Sequence, residues 1–131
     1  SEANMLGVVF TDTGIMTAAP YEVVDADHWL FSGTGMRNGD TFGHESLHER
    51  IPGGASGHET DKTSTSSPSN VRVVARGLNP DNGGAEITYY DTPSGGAVFS
   101  AGSITYPSSI LVDDTVSHLT ANAIKHFIEG P

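Results

Sequence analysis

Five short runs in this 131-residue chain hold side chains or turns with chemical potential. His44-Glu45-Ser46-Leu47-His48 fits H-E-x-x-H. On a helix that spacing stacks two imidazoles one turn apart, where they hold zinc while the glutamate acts as general base. The run before it, Asn38-Gly39-Asp40-Thr41-Phe42-Gly43, reads as loop, and Ile51 and Gly54 stand where the extended motif needs Gly and His. His58 or Glu59 could add a third ligand, although the spacing does not ask for either. Gly57-His58-Glu59-Thr60-Asp61 sets two acids and an imidazole together beside a flexible loop. Acid–base work needs a carboxylate tuned by burial and neighbours, and the plainer use of such a run is a polar loop start. Ser103 follows a glycine but lacks the G-x-S-x-G elbow, the run being Ala101-Gly102-Ser103-Ile104-Thr105, which argues against a serine nucleophile. Gly33-Thr34-Gly35-Met36-Arg37-Asn38-Gly39-Asp40 lacks dinucleotide-loop spacing and reads as turns. Trp29 and Phe31 read as core residues or as walls of a pocket.

The bulk numbers narrow the partners. Six basic residues against sixteen acidic ones give a net charge of −10. A field of that sign repels phosphate backbones and acidic lipid, so neither nucleic acid nor a membrane surface is expected as a partner. Without cysteine, no disulfide, thiolate zinc site or thiol nucleophile is available. No apolar run approaches the roughly 20 residues that span a bilayer. The opening SEANMLGVVF lacks a signal-peptide pattern and an initiator Met, which favours a cytoplasmic location without fixing it and suggests a mature product or a piece of something longer. A single domain over residues 1–131 is expected, as a fragment or the C-terminal part of a larger one.

The elements that must position these residues are few. Residues 5–10 read as a buried strand or a helix end, 11–19 as loop and 21–24 as an edge strand. Residues 32–57 read as irregular, with one helical turn over 44–50. Residues 60–70 form a Ser/Thr-rich solvent loop, and 71–75 a strand. Residues 87–90 and 97–99 flank Thr92-Pro93-Ser94-Gly95-Gly96, which reverses the chain. A helix over 115–128 buries Val116, Leu119, Thr120, Ala123 and Phe127 by their spacing. Asp113 and Asp114 sit at its start, and Gly130-Pro131 closes it. A parallel sheet needs helices on both faces, more than one helix can supply.

Four blocks together resemble the C-terminal part of the N,N-dimethylformamidase large (beta) subunit family. They are DHWLFSGTGM (27–36) with GDTFG (39–43), GHETD (57–61), AEITYY (85–90) and GGAVFSAGSI (95–104). The last block also resembles the end of glutamine-amidotransferase-like domains. The resemblance implies an α/β fold: the C-terminal half of a glutamine-amidotransferase-like (flavodoxin-like) three-layer domain, loop-rich, with one C-terminal helix. It implies an amidohydrolase that cleaves the C–N bond of a small amide with a mononuclear iron. The iron is held by tyrosine and glutamate in the family's earlier half, so no cofactor is expected in this chain; zinc at His44, Glu45 and His48 is the alternative. Glu59 carries over as the catalytic base toward an iron-activated water. His28, Trp29, His58 and Asp61 are expected around the substrate, with His58 standing where an aromatic is expected. The chain alone is expected to be inactive and to pair with a second copy or the missing N-terminal half. The other reading is a non-catalytic assembly or binding domain.

Overall fold

The computed structural model describes residues 1–130. A short helix α1 (Ala3–Leu6) opens the chain. Strands β1 (Val9–Thr11), β2 (Ala18–Ala19), β3 (Tyr21–Val23), β4 (Thr41–Phe42), β5 (Ser56–Gly57) and β6 (Thr60–Lys62) follow. Then come β7 (Arg72–Gly77), β8 (Glu86–Asp91), β9 (Ala97–Ser100) and helix α2 (Asp114–Glu129). The main sheet has the order β4-β3-β7-β8-β9, and β1–β6 and β2–β5 form two small pairs. Every pairing is antiparallel.

Mixed helix and sheet, many loops and one long C-terminal helix are therefore present, but the parallel sheet of a flavodoxin-like three-layer domain is not found among the described residues. The physical reason lies in the connections. Antiparallel neighbours join through short reversals such as residues 92–96 between β8 and β9, whereas parallel ones need a crossover, usually a helix. No helix lies between the sheet strands β3 and β9 beyond short 3₁₀ turns.

β8 explains how one sheet carries two covered faces. All of it except Asp91 is buried, and side chains alternate between faces. Ile87 and Tyr89 join the core with Tyr21, Phe42, Val74, Val116, Leu119 and Ala123. On the other face, Tyr90 donates to the Met5 carbonyl, and Glu86 accepts from the Thr63 N–H at 2.7 Å, from Thr63 Oγ1 at 2.8 Å and from Arg76 Nε at 3.0 Å. Burial alone would push the Glu86 carboxyl up; the bonds from Thr63 and Arg76 outweigh it and hold the group below its usual range. Its contribution to stability is then present above the unfolded value near 4.5 and is lost as pH falls through the lower folded value. Urea midpoints between pH 3 and 6 are expected to flatten in Glu86→Gln; an unchanged slope would remove Glu86 from the acid response.

The helix matches the sequence pattern at its start. Asp113 Oδ1 accepts from the Val116 N–H at 2.9 Å, capping α2, while Oδ2 accepts from the Gly43 N–H at 2.8 Å and ties the cap to the end of β4. Val116, Leu119 and Ala123 are buried as expected, but Phe127 is 48% exposed. The face turns instead through Asn122, whose amide donates to the Leu30 and Ser32 carbonyls at 2.9 Å each, and His126, which stacks on Trp29. Three other expectations change. Residues 21–24 are not an edge: β3 lies between β4 and β7. The solvent loop begins later than residue 60, because Thr60–Lys62 is β6. Residues 44–50 form no helical turn.

Candidate functional site

Two neighbouring carboxylates line a cleft where β6 meets the chain after β9. Ile104 N–H donates to the Glu59 carbonyl at 3.3 Å and Asp61 N–H to the Gly102 carbonyl at 2.8 Å, with Thr60 bridged antiparallel to Ser103. On extended backbone, residues two apart emerge on the same side. Thr60 accordingly turns inward, 2% exposed, and Glu59 and Asp61 share a cleft of about 390 Å³ with Leu6, Val8 and residues 100–104. Glu59 is exposed at the cleft and Asp61 half-buried. Burial, then the charges of Glu2 and Glu59, push the Asp61 carboxyl above its usual range. A carboxylate pair in unequal surroundings is the arrangement that separates an acid from a base.

Ser103 holds this cleft rather than attacking from it. Its Oγ donates to the Ala55 carbonyl and accepts from the Gly57 N–H, both at 2.8 Å. The hydroxyl proton is committed to a backbone carbonyl, and no imidazole touches it. A buried network backs the same segment: Ser56 Oγ donates to Asn79 Oδ1 at 2.7 Å and accepts from the Ala85 N–H at 2.9 Å.

His58, the residue before Glu59, does not enter the cleft. Its backbone is left-handed at φ 66°, and its ring lies 6.0 Å from that of His48 with Nδ1 buried and unpartnered. His48 Nδ1 accepts from the Ile51 N–H at 3.0 Å, and His44 Nε2 lies 3.1 Å from Thr41 Oγ1. Because residues 43–48 form no helix, His44 and His48 lose the one-turn spacing on which the zinc reading depends. Among the described residues no three His, Asp or Glu side chains converge to hold a metal ion.

His28 and Trp29 belong to a second cluster. His28 caps a 3₁₀ turn, its Nδ1 accepting from the Leu30 N–H at 3.2 Å, and burial lowers its pKa. Trp29 stacks on His126 at 4.0 Å and meets the edge of Tyr89 at 5.1 Å. Tyr89 donates to Asp91 Oδ1 at 2.7 Å, so at 3.0 Å its oxygen accepts from His126 Nε2. Burial, then Asp91, raise the Tyr89 phenol to about 12. Of the residues expected around a substrate, the structure thus joins Asp61 to Glu59 and places His28, Trp29 and His58 elsewhere. Sequence reasoning passed over His126, whose signal was its place seven residues after Leu119, on the buried face.

The sequence profile of the family described as N,N-dimethylformamidase beta subunit-like, C-terminal, matches residues 1–118. The chain belongs to that family. No curated protein matches it. For this N,N-dimethylformamidase-like domain, the match covers the Glu59–Asp61 cleft whole and stops within α2, before His126. Among the described residues, no helix is long and apolar enough to cross a membrane.

Proposed function

We propose that the chain serves as the C-terminal domain of an amidohydrolase of the N,N-dimethylformamidase type, with Glu59 as the general base that takes a proton from the attacking water. The observation that carries this reading is the cleft in which Glu59 and Asp61 stand side by side with Leu6 and Val8 along its wall. A general base must be ionised, reach solvent and face a space large enough for a small amide; Glu59 is exposed beside such a space. Leu6 and Val8 give alkyl groups on the amide an apolar surface. Among the described residues, no Lys, Arg or His side chain lines the cleft to polarise the carbonyl, so catalysis depends on the rest of the enzyme, and the domain works joined to an upstream half or a second copy.

The test is hydrolysis of N,N-dimethylformamide by the complete subunit, by the isolated chain and by the subunit carrying Glu59→Gln. The isolated chain is expected to be inactive and the complete subunit active. Glu59→Gln is expected to lose about 100-fold or more in kcat with its melting temperature kept. A fully active Glu59→Gln subunit would move the chemistry out of this cleft.

The exposed apolar side chains Ile124, Phe127 and Ile128 on α2 favour a second reading, an assembly domain without chemistry. It predicts that Glu59→Gln changes nothing while substitutions on α2 dissociate the enzyme.

A further inference from the structure

We propose that Asp61 is the general acid of the same cleft and delivers a proton to the departing amine. This rests on reading the cleft as catalytic. Glu59 and Asp61 lie on either side of inward-facing Thr60 and line one cavity of about 390 Å³. They differ in exposure: Glu59 is open to solvent and Asp61 half-buried. The charged groups facing Asp61 are Glu2 and Glu59, both acidic, and with burial they favour its protonated form. Its backbone is fixed on both sides, by pairing with Phe10 of β1 and by the bond to the Gly102 carbonyl. A carboxyl so held is ready to donate, while its exposed neighbour is ready to accept.

The chemistry balances without an added reagent. Water oxygen bonds to the amide carbon and its proton passes to Glu59. Asp61 gives its proton to the nitrogen, the C–N bond breaks, and the amine leaves neutral with the carboxylic acid. The proton on Glu59 returns to Asp61, restoring both groups. The two products then exchange a proton in water. An amine leaving without a proton would be a strongly basic anion, so the acid matters most for dialkylamides and least for amides of electron-poor anilines.

That difference is the test, made in the complete active subunit with N,N-dimethylformamide and 4-nitroformanilide as probes. Asp61→Asn is expected to lower kcat on dimethylformamide about 100-fold and on the anilide by less than tenfold. It is also expected to remove the alkaline limb of the kcat/KM profile. Asp61→Glu, which keeps a proton to give, is expected to recover part of the dimethylformamide rate. An equal loss on both probes in a folded Asp61→Asn protein, or no recovery with Asp61→Glu, would overturn the assignment. Glu59→Gln separates the two readings. If it leaves both probes unaffected, the cleft itself is not catalytic; if it slows both while Asp61→Asn shows no leaving-group dependence, only the role of Asp61 fails.

Discussion

Replacing Tyr21 by alanine is expected to destabilise the protein by about 4 kcal/mol, as removal of a large buried aromatic does. Tyr21 is fully buried on β3. It stacks on Phe42 with ring centroids 5.5 Å apart and meets Tyr106 edge-on at 6.3 Å. Its hydroxyl donates to the Ala101 carbonyl at 2.9 Å, and Ala101 lines the Glu59–Asp61 cleft. Tyr21 therefore joins the middle of the sheet to the wall of the site. Burial raises its pKa well above the ordinary value, so the phenol stays protonated and able to donate. Tyr21→Phe keeps the ring and loses one neutral hydrogen bond, worth about 1 kcal/mol. Urea denaturation of both variants separates the contributions. If Tyr21→Phe were as damaging as Tyr21→Ala, the hydroxyl and not the ring packing would be what holds this region.

The second large effect is expected at Gly54, just before β5. Its φ is +149°, and a Cβ there would lie 2.3 Å from the carbonyl carbon and oxygen of Ala19 and 2.7 Å from the Pro20 nitrogen. Those atoms are backbone and cannot swing aside. The Gly54 carbonyl also accepts from Thr105 Oγ1 at 2.9 Å, so moving the segment breaks a buried bond. Gly54→Ala is expected to cost more than about 4 kcal/mol, a large share of a typical domain's stability. At Gly95, φ is +90° and nothing lies within 4 Å, so Gly95→Ala meets only the backbone penalty, about 1 kcal/mol. Circular dichroism melts of the two variants check the contrast. A Gly54→Ala protein that melts like the parent would mean β2 and β5 can separate without loss.

The β8–β9 hairpin and α2 could be read from the sequence because their signals are local. The turn at residues 92–96 and the cap at Asp113 each lie beside the element they define. Phe127 was misplaced for an equally local reason. Counting only apolar residues at helical spacing chooses Phe127, whereas the contact that continues the face is a histidine stacked on Trp29. Glu86 carried no signal of its burial because its partners, Thr63 and Arg76, lie on other elements. H-E-x-x-H has meaning only on a helix, and the 44–48 segment is instead held in place by Leu47 N–H on the Ser108 carbonyl and Ser109 Oγ on the Glu45 carbonyl. Asp61 could be grouped with Glu59 from the sequence because both sit in one short run. His28, Trp29 and His58 could not be sorted from them, since their neighbours come from residues far along the chain.

The sheet order β4-β3-β7-β8-β9 has a consequence for how the molecule is made. β3 waits for β7, and Tyr21 pairs there with Gly77. The hydrogen bonds from Ser100 to Leu6, Asn122 to Leu30 and Tyr21 to Ala101 join residues 94, 92 and 80 positions apart. Each such closure spends chain entropy before any contact returns it. The β7–β8–β9 meander and α2 can form from neighbours in sequence. On a ribosome β1–β6, β2–β5 and β3–β4 can pair within the first half of the chain, but β3 stays without β7 until the second has emerged, and free in solution the protein refolds in milliseconds to seconds rather than microseconds.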